Sequence, residues 1–279
     1  MTGPNCGELS SVDAQETSSD IVEEHIVGRT EGKRKIMDSL LEVMSEKIVM
    51  IILPIHGIGG IGKTTFARLI YNDPMFELYS KVWIYVSQRF DLNKICESII
   101  SQLSERQNLH SYLASGKKIL IVLDDLWEDN QIQLQELKDM LYDKFHNESG
   151  IIILVTTRSE SVAERICTNI QPYKIPPLSK DMCWYIIKQR SYFEARDDSK
   201  QWTDIGLEIA QKCGGVALAA QSLGFTLRSM NFDQWVQVRD SDIWNGTISD
   251  HVLASLKLSH HYMPSYLKPC FNYCAIFPK

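Results

Sequence analysis

The feature that most constrains the fold of this chain is a glycine-rich loop with an apolar run, 48–53, before it and a helical pattern, 66–70, after it. The loop matches G-x-x-x-x-G-K-[ST], and its residues are Gly57, Ile58, Gly59, Gly60, Ile61, Gly62, Lys63 and Thr64, followed by Thr65. In a strand, glycine loop and helix of this kind, backbone N–H groups surround phosphate oxygens at the helix N-terminus. The sequence therefore predicts a phosphate-binding loop, and a merely flexible glycine turn is the alternative.

Two side chains of the loop have predicted roles, and a second strand supplies their partners. Lys63 is expected to reach the β- and γ-phosphates, and the Thr64 hydroxyl to hold Mg²⁺. The apolar strand 119–123 is followed by two carboxylates. Asp124 is the predicted metal-side residue, directly or through water, and Asp125 is placed to position or deprotonate a water. Solvated charges at a strand end are the alternative, and Trp127 is expected to be a core or interface packing residue.

A third apolar strand, 151–155, is followed by Thr156-Thr157-Arg158. Ligands of parallel α/β sheets bind at the carboxyl ends of the strands, which is where this arginine falls. Arg158 is therefore a candidate contact to a γ-phosphate. A solvated or salt-bridged surface arginine is the alternative.

Strand and helix patterns alternate through the first part of the chain. Strand-like runs at 48–53, 82–86, 119–123 and 151–155 are separated by helical patterns that include 95–103 and 134–141. This alternation predicts an α/β fold with a parallel sheet covered by helices on both faces. The predicted nucleotide-binding domain spans 23–175, after a polar and disordered segment at 1–22. A helical subdomain follows, with helices at 182–193, 205–212 and 217–227.

Composition excludes several other classes of protein. The net charge is −6 and no stretch clusters lysine and arginine, which argues against a nucleic-acid-binding protein. The longest apolar runs are far shorter than the roughly 20 residues of a membrane span. The seven cysteines and seven histidines have no metal-ligand spacing, and no secretory signal is present, so we expect free thiols in the cytoplasm.

The order of these motifs resembles the NB-ARC nucleotide-binding module of plant disease-resistance proteins, the nucleotide-binding leucine-rich-repeat receptors. The segment after Asp125 and the last motif are similar to the branch with an N-terminal coiled coil. The motifs that carry the resemblance are 26–29, 57–65, 81–88, 120–127, 154–158, 178–184, 213–219 and 267–279.

The resemblance implies a molecular switch that rests with ADP, is active with ATP and uses Mg²⁺. It also implies adenine contacts from Val27 and Arg29, and a γ-phosphate sensing role for Arg158. Ala217 stands where the family usually has a proline near the adenine, and alanine does not fix φ as proline does. Implied protein partners are other receptor domains and a pathogen effector or guarded host protein, with oligomerisation on activation of a full-length form.

The resemblance also divides the second half of the chain. It implies a helical subdomain at 176–245 and the start of a winged-helix subdomain at 246–279, cut before the family's Met-His-Asp segment and before any repeats. We expect slow ATP hydrolysis at most. Two alternatives stay open: a P-loop ATPase whose turnover is itself the function, and a truncated protein that acts by binding full-length relatives.

Overall fold

The predicted parallel sheet is present in the computed structural model, which describes residues 26–46, 48–86, 89–105, 118–145, 150–193, 199–245 and 248–277. Neighbouring strands pair in parallel in the order β2-β3-β4-β1-β5. The strands are β1 (Met50–His56), β2 (Ser80–Tyr85), β3 (Lys118–Leu126), β4 (Gly150–Thr157) and β5 (Tyr173–Lys174). The segment 1–22, predicted to be disordered, lies outside the described residues. Because β1 is an interior strand between β4 and β5, the loop that follows it lies at the carboxyl edge of the sheet with a strand on each side.

Helices cover both faces of this sheet. They are α1 (Thr30–Ser45), α2 (Lys63–Tyr71), α3 (Leu92–Glu105), α4 (Gln131–Phe145) and α5 (Glu160–Ile166). Successive side chains of a strand point to opposite faces. In β1, Ile51 and Leu53 pack in one core with residues of α1 and α2, whereas Ile52 packs in the other with residues of α3, α4 and α5. Burial on both sides explains why β1 is a continuous apolar run.

The outer edge of β2 is closed by a side chain. The Gln102 amide of α3 donates to the Trp83 carbonyl at 2.9 Å, and its oxygen accepts from the Trp83 N–H at 3.2 Å. The amide thus pairs with backbone groups that would otherwise be open to another strand.

The predicted helical subdomain has a core of its own. Its helices are α6 (Lys180–Ser191), α7 (Ser199–Lys212), α8 (Ala217–Leu227) and α9 (Phe232–Asp240), and α8 has the bounds that the periodicity predicts. The fully buried Trp235 lies at the centre, packed against Trp184 and Phe193. Helix α9, which has no counterpart among the predicted helices, begins at a capping box formed by Asn231 and Gln234.

The helical core continues into the last part of the chain. Ala254 and Leu258 of α10 (Ile248–His261) are buried with residues of α8. Because this core includes residues on both sides of position 245, the predicted domain boundary there stays a prediction. In contrast, α11 (Leu267–Cys274) has no buried residue. Among the described helices, none combines the length and the apolar character needed to cross a bilayer.

Candidate functional site

The glycine loop joins the carboxyl end of β1 to the N-terminus of α2. Gly60 and Gly62 have φ values of 75° and 102°, a left-handed conformation that favours glycine. Gly60 also lies against the helical subdomain, because a Cβ atom there would be 2.8 Å from Cβ of Leu218. The Leu218 N–H donates to the Gly60 carbonyl at 3.1 Å. The conformation of the loop is therefore tied to the start of α8.

Lys63 is the first residue of α2, and its side chain is turned back across the loop. The ammonium donates to the carbonyls of Gly57 at 3.0 Å and Ile58 at 3.2 Å. Burial lowers the pKa of Lys63, and the nearby Arg158 cation lowers it further. Two cations thus converge on one short loop, an arrangement that favours an anion there.

Thr64 and the end of β3 meet beside the loop. The Thr64 hydroxyl donates to Oδ1 of Asp124 at 2.9 Å, and the Thr156 hydroxyl of β4 donates to the same oxygen at 2.6 Å. Burial raises the pKa of Asp124, and the hydrogen bonds from Thr156 and Thr64 oppose that rise. A carboxylate that is 3% exposed and held by two hydroxyls is a rigid oxygen ligand.

This donor set fits Mg²⁺. The cation prefers oxygen ligands and is usually held by one or two carboxylates together with phosphates and water. Within the described residues no cluster of three or more His, Cys, Asp or Glu side chains has the geometry of a metal cage. Asp124 and Thr64 would therefore hold the ion together with a bound phosphate.

A β-bulge explains how two adjacent carboxylates face different groups. Leu123 pairs with Val155 and Leu126 pairs with Thr157, so β3 has one residue more than β4 between these pairs. Asp125 lies in the bulge with φ of 62°, and its N–H donates to the Thr156 hydroxyl at 2.8 Å. Bulges re-aim side chains next to functional sites. Here Asp124 faces Thr64, and Asp125 faces Arg158.

Arg158 lies over the opening of the loop. Its Nε atom is 3.6 Å from Oδ1 of Asp125, and its Cζ atom is 4.3 Å from the centre of the Trp127 ring. A Cβ atom on Gly59 would be 3.5 Å from Nη1 of Arg158. Trp127 is not a core residue, since it is 42% exposed.

Among the residues that the resemblance assigns to the adenine, Arg29 contacts the loop. The buried Arg29 guanidinium donates to the carbonyls of Pro176 and Ile61, both at 2.8 Å, and burial lowers its pKa. Val27 and Ala217 are partly buried against the helical core. Arg29 thus ties the loop to the connection between β5 and α6, and an adenine contact by these three residues stays a prediction.

Three residues of this site have no functional role in the sequence analysis. Thr156 lies near the carboxyl end of β4, at the same edge of the sheet as Asp124, and this position could have identified it. The contacts of Trp127 with Arg158 and of Leu218 with Gly60 are long-range, and no spacing in the sequence indicates them.

The comparison with protein families decides the identity of this fold. The NB-ARC domain matches residues 29–197, which is more than half of the chain. The chain belongs to the NB-ARC family. This NB-ARC chain is 36% identical to the disease resistance protein RGA2 of Solanum bulbocastanum, over 95% of the chain and 28% of that protein. It is 34% identical to the putative disease resistance RPP13-like protein 1 of Arabidopsis thaliana, over 94% of the chain and 26% of that protein. It therefore spans about a quarter of each relative.

Solved structures share the fold of this NB-ARC chain at low sequence identity. The ADP form of the Aeropyrum pernix ORC2 protein is similar with a TM-score of 0.54 and 16% identity, over 85% of this chain and 70% of that one. The Thermotoga maritima RuvB branch migration motor is similar with a TM-score of 0.50 and 16% identity, over 85% of this chain and 71% of that one. The predicted P-loop NTPase fold and the resemblance to plant disease-resistance proteins are both confirmed.

Proposed function

We propose that this chain binds ADP and ATP with Mg²⁺ and acts as a nucleotide-dependent switch in plant innate immunity. The observation that carries the proposal is the contact between Thr64 of the loop and Asp124 of β3, beside the buried ammonium of Lys63. Membership in the NB-ARC family and similarity to disease resistance proteins support the immune role. The relatives are several times longer than this chain, and we propose that receptor domains of the kind found in their remaining length are partners of the switch.

The phosphates would be held by backbone N–H groups of the loop and by the N-terminus of α2. Lys63 already donates to two carbonyls of the loop, and a phosphate oxygen is a stronger, charged acceptor for the same ammonium. Asp124 and Thr64 would hold Mg²⁺, which supplies positive charge against the β- and γ-phosphates. Arg158 would contact the γ-phosphate and so distinguish ATP from ADP.

Slow hydrolysis follows from the group available as a general base. Asp125 follows Asp124 at the end of β3, and it forms an ion pair with the Arg158 cation. A carboxylate is a weak base for water near neutral pH. The site therefore suits binding of a nucleotide better than its rapid hydrolysis.

The switch is proposed to operate in the cytoplasm, together with other receptor domains and an effector or guarded host protein.

Preference for adenine is proposed from Val27, Arg29 and Ala217. Arg29 contacts the Ile61 carbonyl and Ala217 begins α8, whose second residue contacts Gly60. A base bound beside the loop would lie close to these groups. We expect the two adenine nucleotides to bind more tightly than GTP and GDP.

Calorimetric titration of the whole chain with ATP, ADP, GTP and GDP, each with Mg²⁺, tests the binding proposal. Steady-state phosphate release is measured on the same preparation, and we expect turnover well below about 10 per second, the median of enzymes. Turnover at or above that value would favour an ATPase whose turnover is the function. Binding of no nucleotide, with co-purification of full-length relatives, would favour a chain that acts only by association.

A further inference from the structure

Arg158 and Trp127 form a cation–π contact that is exposed to solvent. The Arg158 side chain is 50% exposed and the Trp127 ring is 42% exposed, so the pair lies at the surface. The guanidinium carbon is nevertheless only 4.3 Å from the ring centre. A long, exposed arginine loses rotamer freedom when it is held this way. The contact with the electron-rich ring face offsets that loss.

The ring contact holds the cation without using its hydrogen-bond donors. The guanidinium carbon lies over the ring, and a cation–π attraction does not require an N–H group to be paired with an acceptor. Within the part of the chain that the structure describes, Asp125 is the acidic group paired with the guanidinium, and its Oδ1 atom is 3.6 Å from Nε, longer than a hydrogen bond. The donors of Arg158 therefore remain available to an acceptor at the loop.

The Arg158 guanidinium is directed toward the phosphate loop, where such an acceptor would bind. Nη1 of Arg158 lies beside Gly59, at the middle of the phosphate loop, and the Arg158 charge is felt by the Lys63 ammonium. Two neighbouring cations repel each other, and Asp124 and Asp125 offset part of that repulsion, so a further anion such as a phosphate would be stabilised by both cations. Trp127 thus fixes a cation where the outermost phosphate of a bound nucleotide would need one.

We propose that Trp127 is a positioning residue that holds Arg158 ready for the γ-phosphate and thereby increases the preference of the site for ATP over ADP. This inference rests on the proposed function. Because Arg158 is already ordered, ATP binding does not have to overcome the loss of its side-chain conformational entropy. ADP has no γ-phosphate and gains nothing from it.

The test compares Trp127→Leu and Trp127→Phe with the wild-type chain. Dissociation constants are measured for ADP and for adenylyl-imidodiphosphate, both with Mg²⁺. We expect Trp127→Leu to reduce the preference for the triphosphate about fivefold, which corresponds to about 1 kcal/mol for an exposed cation–π contact. Trp127→Phe keeps an aromatic face and should retain most of the preference. Tyr266→Leu removes another aromatic ring, 73% exposed and remote from the loop in the sequence, and serves as the matched control.

A second arm separates positioning from a general structural effect. In an Arg158→Ala background, Trp127→Leu should leave the ratio of the two dissociation constants unchanged, because no guanidinium remains to be positioned. An equal reduction in both backgrounds, or no reduction in either, would overturn the inference while nucleotide binding itself stood. If the wild-type chain bound neither nucleotide, the proposed function would fail first and this inference with it.

Discussion

Thr156 donates a hydrogen bond of 2.6 Å to Oδ1 of Asp124, the oxygen that also accepts from Thr64 at 2.9 Å. The Thr156 hydroxyl accepts in turn from the N–H of Asp125 at 2.8 Å. One hydroxyl of β4 therefore holds both the carboxylate of Asp124 and the backbone of Asp125 at the end of β3. Each of these two residues has a separate proposed role, so Thr156 links the metal side of the site to the Arg158 side.

Replacement of Thr156 by valine should destabilise the protein. The variant keeps the shape of the side chain but leaves the Asp125 N–H without its acceptor and Asp124 without one donor. We expect the free energy of unfolding to fall by about 2–3 kcal/mol, measured by denaturant titration. Thr156→Ser keeps the hydroxyl and should lose less than half of that amount. Equal losses in the two variants would show that the methyl group, rather than the hydroxyl, matters.

Asp124→Asn should stabilise the protein without ligand and impair binding of Mg²⁺ with nucleotide. Burial raises the pKa of Asp124 above its ordinary value of 3.8, so the folded state binds more protons than the unfolded state between the two pKa values. The free energy of unfolding of the wild type therefore falls as the pH rises through that interval. Asparagine has no such proton, and its oxygen can accept from both threonines.

The measurement for Asp124 is a series of urea titrations from about pH 3 to pH 8, near and above the ordinary pKa of aspartate. The stability difference in favour of Asp124→Asn should open above pH 3.8 and level off above the folded-state pKa. Each unit of elevation in that pKa corresponds to about 1.4 kcal/mol. A variant less stable than the wild type at pH 7 would contradict the expectation.

Lys63→Ala should remove most of the stabilisation that nucleotide confers. A ligand at about 100 times its dissociation constant stabilises the wild type by about 2.7 kcal/mol. For a chain of this size the melting temperature should rise by about 5–10 °C. The change on adding ligand is compared within each variant, which cancels any effect of the mutation on the protein alone. Lys35→Ala, at an exposed position of α1, is the matched control and should keep the full rise.

Gly60→Ala should cost more stability than Gly62→Ala. Both glycines have positive φ, so alanine introduces backbone strain of about 1–2 kcal/mol at either position. At Gly60 the added methyl would also lie 2.8 Å from Cβ of Leu218, whereas at Gly62 no atom of the described residues lies within 4 Å of it. Overpacking adds about 1–3 kcal/mol in such a contact. Thermal unfolding of the two variants measures the two losses of stability. Equal losses would mean that α8 shifts away from the added methyl at little cost in free energy.

The phosphate loop and the order of strands and helices were determined by the sequence itself. The loop is contiguous in the sequence. Its flanking strand and helix can be predicted from the spacing and content of apolar residues, because each pattern reflects the burial of a local element. The same holds for the acidic end of β3 and for α8. The family could be recognised for a related reason, since its motifs are short segments in a fixed order.

The tertiary structure decided which side chains share a contact. Trp127 follows β3 and Arg158 follows β4, Leu218 meets Gly60 from a different subdomain, and Arg29 reaches Ile61 and Pro176 across the loop. Such contacts depend on how the ends of separate elements converge, and they leave no period in the chain. The bulge at Asp125 belongs to the same class. It results from pairing between β3 and β4, which neither strand specifies alone.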